Sequence, residues 1–323
     1  MIFRPGQYKI VPMARDLIAI VGVTCTGKGA LALALGEALG GPSAAAVVVC
    51  DSAKIYRGAD VGTGKLLGEA RRGFDFFMVD VVEPGEQYSA GRYMEDARRA
   101  CDEIWGEGKT VVAVGGTGLY VRALLDGICE APPADAEVRA SLSARQRAGE
   151  NLHQYLAAVD GAAAARITPA DTKRIVRALE VYELTGVPLS AFQRAGAPPL
   201  ATGRMLMVAL DGPRPWLAAR IEERTARMVA AGLRGEVEGF LARGLAPPAP
   251  PLNAIGYRQL AAAIKGEVDD RTAIAQISRD TRRLAKRQRT WFKKDPRAVW
   301  MDAAAGTAAL GAGTLKIWAA APR

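Results

Sequence analysis

Hydrophobic residues occur along this chain in short runs that are separated by longer amphipathic stretches. The runs predict buried strands at 17–21, 45–50, 76–82, 110–114 and 205–210, with a short edge strand at 299–301. The stretches between them have helical spacing, as at 89–105 and 215–243. Strands that alternate with helices favour an α/β fold, in which a parallel sheet is flanked by helices.

The first strand leads directly into a glycine-rich loop. Residues 17–29 read LIAIVGVTCTGKG, and a helix-forming stretch follows at 30–39. Strand, glycine loop and helix in this order form a phosphate cradle (a P-loop), because backbone N–H groups and the helix N-terminus point at the anion. The predicted phosphate-binding residues are Gly22, Val23, Thr24, Cys25, Thr26, Gly27, Lys28 and Gly29. The alternative is that the glycines serve only the packing of a tight turn.

One position of this loop departs from the usual motif. Gly29 stands where phosphate loops normally carry Ser or Thr, whose hydroxyl binds Mg²⁺. The departure affects the expected metal site more than the expected phosphate site. We therefore expect Mg²⁺ as a cofactor but assign it no ligands from the sequence.

An acidic residue follows the second predicted strand. Asp51 comes directly after the run AAVVVC at 45–50. The carboxyl end of a parallel strand faces the crevice in which α/β proteins bind ligands, so Asp51 is a candidate site residue. A role as a helix cap is the alternative, and the local sequence leaves both open.

The strand pattern is interrupted in the middle of the chain. Between 132 and 200 the spacing is helical throughout, and a Pro-Pro pair bounds the segment at either end. We predict a core formed by 1–131 and 201–323, with a helical insertion at 132–200. The second part of the core carries basic C-terminal helices.

The positive charge of the chain is unevenly distributed. The net charge is +9, and the segment 279–297 contains nine Lys or Arg against two Asp. A run of this kind forms a solvated helix face in many proteins. Its size, together with Trp291 and Phe292 inside it, favours a polyanionic partner.

Other classes of protein are disfavoured by composition. No apolar run approaches ~20 residues, so we expect no membrane-spanning helix. The four cysteines are dispersed and form no CxxC pair, which disfavours a zinc site or a disulfide framework. We therefore expect a cytoplasmic protein, and we take a monomer as the default state.

The order of the motifs resembles that of the tRNA dimethylallyltransferases, also called isopentenyl-diphosphate:tRNA isopentenyltransferases. The resemblance runs from about 17 to 301 and is carried by GVTCTGK, DSAKIY, VGGTGLY, AIGYRQ and AKRQRTWF. It implies a P-loop core with a helical insertion that binds tRNA. It also implies transfer of dimethylallyl from dimethylallyl diphosphate to N6 of the adenosine 3′ to the anticodon, in tRNAs reading codons that begin with U.

The resemblance also implies roles for individual residues. Asp51 and Thr117 match catalytic positions, and Arg224 joins the phosphate loop in holding the diphosphate. The positions that match contacts with the tRNA anticodon stem-loop are Asp51, Ser52, Ala53, Lys54, Thr117, Arg139, Lys173, Arg174, Ile175, Val176, Arg177, Gly256, Tyr257, Arg258, Gln259, Lys286, Arg287 and Gln288. Lys54, where many members have Gln, and Phe76-Phe77, where a polar pair is usual, depart from the family.

Three alternatives explain less of the sequence. A small-molecule kinase would use the phosphate loop and Asp51 but has no need of the insertion or the basic segment. A prenyl transferase acting on free adenylate would need less RNA-binding surface. A non-enzymatic RNA-binding protein would leave Asp51 and Lys28 without a role.

Overall fold

The computed structural model describes residues 15–321 and contains a six-stranded sheet. The strands are β1 (Leu17–Gly22), β2 (Ala45–Cys50), β3 (Phe76–Phe77), β4 (Thr110–Gly115), β5 (Met205–Asp211) and β6 (Ala298–Asp302). They lie in the order β3-β2-β4-β1-β5-β6, and every neighbouring pair is parallel. The predicted α/β fold with a parallel sheet is confirmed, and β6 is the edge strand expected at 299–301.

Helices flank the sheet and fill the middle of the chain. Those in the described residues are α1 (Lys28–Ala38), α2 (Ala90–Gly106), α3 (Gly118–Asp126), α4 (Ala136–Arg147), α5 (Leu152–Val159), α6 (Gly161–Ala164), α7 (Thr172–Thr185), α8 (Leu189–Ala195), α9 (Arg214–Ala230), α10 (Leu233–Ala242), α11 (Tyr257–Ile264), α12 (Asp270–Phe292) and α13 (Thr307–Ala320). None of them is long and apolar enough to span a membrane.

The register of the sheet brings three loops to one edge. At the carboxyl end of β1, Gly22 is paired with Leu210 of β5, and at the carboxyl end of β2, Cys50 is paired with Gly115 of β4. Because the strands are parallel, the loops after β1, β2 and β4 all leave this edge of the sheet. These loops contain the phosphate-binding motif, Asp51 and Thr117.

The third strand is much shorter than its apolar sequence predicts. The run FFMVDVV at 76–82 forms a strand only at Phe76–Phe77, so the predicted strand is wrong beyond those two residues. Met78 and Asp80 have left-handed φ values of 63° and 56°. The resulting turn lets Asp80 Oδ1 accept a hydrogen bond from Lys65 Nζ at 2.5 Å. The strand therefore ends where the chain turns to pair Asp80 with the buried Lys65.

The helical stretch predicted at 215–243, for which the sequence left one or two helices open, forms two. α9 ends at Ala230, and α10 begins after Gly232, whose φ of 93° no helix permits. Arg220 and Arg224 of α9 and Glu236 of α10 can therefore reach different loops of the core.

A second compact unit contains residues 89–94 and 122–200, and the remaining described residues form the first. The second unit has its own apolar core, built mainly from Leu142, Leu152, Leu156, Ile175, Ala178 and Leu179. The predicted insertion at 132–200 falls inside this unit, which begins ten residues earlier and includes a piece of α2. Ile175 is 2% exposed and belongs to this core, and its contact with tRNA stays a prediction.

One buried carboxylate connects two helices of the second unit. Asp160 is 4% exposed, and its two oxygens accept hydrogen bonds from the N–H groups of Ala163 (3.0 Å) and Ser190 (2.9 Å). Replacing Asp160 by Ala leaves both buried donors unpaired. We expect the free energy of unfolding to fall by about 3 kcal/mol, measured by denaturant titration.

Asp171→Ala is the matched control for this variant. Asp171 also caps a helix of the same unit, but its carboxylate is partly exposed and accepts its capping bond from the N–H of Arg174 at the longer distance of 3.3 Å. Its loss is expected to cost about 1 kcal/mol. An equal loss of unfolding free energy in the two variants would show that the burial of Asp160 and its second hydrogen bond add no stability.

Candidate active site

Side chains of the phosphate loop form hydrogen bonds to the backbone of the same loop. Gly22 has φ 109°, and a Cβ there would lie 2.3 Å from the carbonyl oxygen of Leu210, so only glycine fits. The hydroxyl of Thr26 donates to the Val23 carbonyl at 2.7 Å, and Lys28 Nζ donates to the same carbonyl at 2.5 Å. The lysine of the loop is therefore folded over it, where it can meet a bound phosphate.

Two arginines of α9 approach this loop from outside. Arg224 Nη1 donates to the hydroxyl of Thr24 at 3.1 Å, and Arg220 Nε donates to the carbonyl of Cys25 at 3.1 Å. Arg220 was not among the predicted residues. The signal for it was its spacing of four from Arg224 on one helix, which places both side chains on the same face.

Asp51 lies at the carboxyl end of β2, beside the loop that follows β4. Its Oδ1 accepts a hydrogen bond from the N–H of Ala53 at 2.9 Å. The Thr117 hydroxyl accepts from the N–H of Ser52 at 3.1 Å, and the N–H of Thr117 donates to the carbonyl of Cys50. Asp51 therefore orders a turn instead of capping a helix, and its second oxygen forms no hydrogen bond within residues 15–321.

Gln288 of α12 connects the two loops through one buried amide. Its Oε1 accepts from the N–H of Thr24 at 2.8 Å, and its Nε2 donates to the carbonyl of Gly116 at 3.0 Å. A Cβ at Gly116 would lie 2.2 Å from that nitrogen. Gln288 is 8% exposed and holds the phosphate loop against the Thr117 loop. Its contact with tRNA stays a prediction.

Three cationic side chains lie close to one another at the phosphate loop. Besides Lys28 and Arg224, Lys54 extends its ammonium group to the carbonyl of Gly64 at 2.9 Å. The pKa of Lys28 is lowered to about 8, chiefly by burial; Arg224 and Lys54 act in the same direction, while Cys25 and Asp51 oppose the shift. Burial also lowers the pKa of Lys54, with Arg224 and Lys65 acting in the same direction and Asp51 against it. Such a cluster favours the binding of an anion, because an anion would offset both the burial and the mutual repulsion of these charges.

An aromatic cavity of about 310 Å³ lies next to the turn that follows Asp51. Its walls include Ser52, Ala53, Tyr56, Tyr88 and Tyr120. Its volume accommodates a planar base or a short branched hydrocarbon, and aromatic walls suit either ligand.

The other predicted tRNA positions differ in their exposure. In the second unit, Lys173 and Arg174 are exposed and Val176 is partly buried. Arg139 Nε and Arg177 Nη1 lie 2.8 and 2.6 Å from the carboxylate of Glu180, whose side chain is fully buried. Both arginines keep about a third or more of their side-chain surface exposed, so each can also face a phosphate.

The GYRQ positions are largely internal. Tyr257 is 0% exposed and Gln259 3%, and Gly256 is also buried. The tRNA contact of these residues stays a prediction. Arg258 is exposed and forms an ion pair with Asp280 at 2.7 Å. On α12, Lys286 and Arg287 are exposed and form no ion pair with any residue from 15 to 321.

The described residues hold no cluster of three or more His, Cys, Asp or Glu side chains that could bind a metal ion by themselves. Gly29 brings no hydroxyl to the loop. The oxygen donors beside the loop are the second carboxylate oxygen of Asp51 and the Thr24 hydroxyl. This set suits Mg²⁺ only if the substrate phosphates supply several of its ligands, which is a common mode for that ion.

Fold and site together define an α/β protein with a phosphate loop, a carboxylate at the end of a nearby strand and an arginine that reaches the loop from α9. A family model described as IPP transferase matches residues 54–295. The chain is 43% identical over 288 residues to the tRNA dimethylallyltransferase of Geobacter metallireducens, covering 88% of this chain and 92% of that one. It is 45% identical over 285 residues to the tRNA dimethylallyltransferase of Halorhodospira halophila, covering 87% and 91%. The chain belongs to the IPP transferase family.

Solved structures agree with this assignment. The tRNA isopentenylpyrophosphate transferase of Bacillus halodurans has a TM-score of 0.65 at 33% identity, with 90% of each chain covered. A eukaryotic dimethylallyltransferase acting on tRNA shares the fold, with a TM-score of 0.74 at 22% identity and 89% of this chain and 74% of that one covered. The family resemblance drawn from the motifs is confirmed, and the kinase alternative is set aside.

The lowered pKa of Lys28 predicts a pH dependence for anion binding. Below about pH 8 the ammonium is charged, and we expect it to bind inorganic diphosphate. Above that pH the free site loses the charge, so we expect the affinity to fall and binding to take up a proton. We expect proton uptake approaching one at pH 9 and near zero at pH 6.5. Calorimetry in buffers of different ionisation enthalpy measures it.

Lys28→Arg is the control, because its guanidinium stays charged throughout this range. Its profile reports the ionisation of diphosphate itself. If wild type and Lys28→Arg take up the same number of protons at pH 9, Lys28 does not titrate as the structure indicates.

Proposed function

We propose that the protein is a tRNA dimethylallyltransferase. It would transfer dimethylallyl from dimethylallyl diphosphate to N6 of the adenosine 3′ to the anticodon, in tRNAs reading codons that begin with U. The products are N6-(dimethylallyl)adenosine and diphosphate. The observation that carries the proposal is the position of Asp51 next to a cationic phosphate loop on a scaffold of the IPP transferase family. The names of the relatives support the choice of tRNA.

In this reaction the bond between N6 and C1 of the prenyl group forms while the C1–O bond to diphosphate breaks. The amine is a weak nucleophile, since its lone pair is delocalised into the adenine ring. The second oxygen of Asp51 can accept the N6 proton, and the first remains bonded to Ala53. The Thr117 hydroxyl lies beside the same turn, where it can hold the base.

The leaving group gains negative charge as the C1–O bond breaks. Lys28, Lys54 and Arg224 would stabilise that charge together with the N–H groups of the phosphate loop. These groups are fixed before substrate arrives by bonds to backbone carbonyls and to Thr24. Mg²⁺, when bound, would add further positive charge, and the Thr24 hydroxyl would hold it together with diphosphate oxygens.

The target adenine must leave the stacked anticodon loop to reach Asp51, at a cost of a few kcal/mol. The cavity between Tyr56, Tyr88 and Tyr120 offers aromatic surface that would offset part of this cost. All four cysteines are free thiols, in keeping with the reducing cytoplasm in which tRNA is modified. We further propose that the protein acts there as a monomer.

Asp51→Asn tests the proposed general base. Asparagine retains an oxygen acceptor for the N–H of Ala53, so the turn is preserved while the proton acceptor is removed. We expect the single-turnover rate of dimethylallyl transfer to fall by about 10²–10⁴-fold at pH 7. Binding of tRNA and of inorganic diphosphate should stay within about two-fold. A rate within a few-fold of wild type would rule out Asp51 as the base.

The exposed cations of α12 and the turn after it give a test of tRNA binding. Lys286, Arg287 and Lys294 are exposed and unpaired within the described residues, whereas Arg282 lies 3.1 Å from Glu222 and Arg283 lies 3.5 Å from Asp280. Replacing the three unpaired cations by Ala should flatten the slope of log K against log salt by roughly 0.7–0.9 for each tRNA phosphate that is no longer neutralised. Filter binding of tRNA over a salt series measures this slope.

The matched control removes three paired arginines from the same helix: Arg279, Arg282 and Arg283. It takes away the same formal charge, but their acidic partners already neutralise part of it. We expect a smaller change in slope. If both triple variants flatten the slope equally, the salt dependence of tRNA binding is determined by the net charge of the protein and not by the three unpaired cations in particular.

A further inference from the structure

A single carboxylate holds the segment 59–65, which we call the anchor loop. Oε2 of Glu236 accepts hydrogen bonds from the N–H groups of Asp60 (2.9 Å) and Val61 (2.8 Å). Its Oε1 accepts from the N–H of Gly62 at 3.1 Å and from the hydroxyl of Tyr257. Four donors therefore converge on one side chain of α10, although the loop itself has no regular secondary structure.

Packing fixes the position of that carboxylate. The ring of Tyr257 is fully buried against Phe240, with ring centroids 5.9 Å apart. A Cβ at Gly62 would lie 2.4 Å from the Tyr257 ring, so the loop can approach this closely only with glycine. Burial, followed by the bond to Glu236, raises the pKa of Tyr257, which keeps its hydroxyl a donor.

The opposite side of the anchor loop faces the cations of the active site. The carbonyl of Thr63 accepts from Arg224 Nη2 at 3.1 Å, and the carbonyl of Gly64 accepts from Lys54 Nζ at 2.9 Å. Gly64 has φ 63°, and a Cβ there would lie 3.1 Å from Arg224. The loop thus lies between Glu236 on one side and two active-site cations on the other.

We infer that Glu236, supported by Tyr257, is a positioning residue for the diphosphate site. It binds the N–H groups of the anchor loop and thereby sets the carbonyls that aim Arg224 and Lys54 at the anion. The inference rests on the proposed function only for the identity of that anion as diphosphate. It also gives Tyr257 a role inside the protein.

Glu236→Gln tests the inference with little change in shape. An amide has one acceptor oxygen, so it can serve Asp60 and Val61 only by turning its NH₂ group toward the N–H of Gly62. Two facing donors repel, and the Gly62 end of the loop should shift. We expect the Kd of inorganic diphosphate, measured by calorimetry at pH 7, to rise by about ten-fold. The Kd of tRNA should stay within about two-fold.

Glu238→Gln is the matched control on the same helix. Its carboxylate is exposed and pairs with Arg234 at 2.9 Å, away from the anchor loop. The Kd of diphosphate for this variant should equal that of wild type. An equal loss in both variants would attribute the effect to charge alone and overturn the inference.

A double-mutant cycle separates positioning from a general loss of stability. If Glu236 acts through Arg224, Glu236→Gln should weaken diphosphate binding by less than about three-fold in an Arg224→Ala background. The same ten-fold loss in both backgrounds would overturn the inference. So would parallel rises in the Kd of diphosphate and of tRNA, which a merely destabilised fold would cause.

Tyr257→Phe is the second variant, for use if Glu236→Gln does not fold. It removes one of the four donors and should raise the Kd of diphosphate about three-fold. An unchanged value would count against the inference. Because the probe is diphosphate alone, wild type that binds it without transferring dimethylallyl to tRNA would refute the proposed function and leave this role of Glu236 intact.

Discussion

The close approach of three cationic side chains at the phosphate loop is the constraint on which the rest of the site depends. Lys28, Lys54 and Arg224 repel one another, and burial penalises their charge further, as the lowered pKa of both lysines records. Each is held by a backbone carbonyl: those of Val23, Gly64 and Thr63. In the free protein, the repulsion and desolvation of these three cations are unfavourable. A bound diphosphate would offset both.

Those carbonyls must themselves be held in place, and the elements that hold them come from distant parts of the chain. Gln288 of α12 fixes the phosphate loop against the Thr117 loop, and Glu236 of α10 fixes the anchor loop. Lys65, whose side chain is fully buried between Asp60 and Asp80, secures the other end of the anchor loop. Polar side chains on helices thus supply the order that the irregular loops lack.

This arrangement explains which parts could be predicted from the sequence. Most strands were predictable because a buried parallel strand must be a short apolar run, and the phosphate loop was predictable because its spacing is local. The predicted strand at 76–82 is wrong beyond Phe77, where the backbone turns at Met78 and Asp80 and the Asp80 carboxylate pairs with the buried Lys65. Glu236 and Gln288 were not identified in these roles, since a polar residue on a helix looks the same in sequence whether it faces solvent or a loop.

The anchor loop has no regular secondary structure, yet its backbone N–H and C=O groups form hydrogen bonds that also position active-site cations. Three of its N–H groups, from Asp60 to Gly62, are bound by Glu236 on the scaffold side. Two of its carbonyls, of Thr63 and Gly64, are bound by cations on the site side. A strand would direct such groups alternately to both sides, whereas this loop separates donors from acceptors. That separation lets one carboxylate outside the site control the orientation of two cations within it.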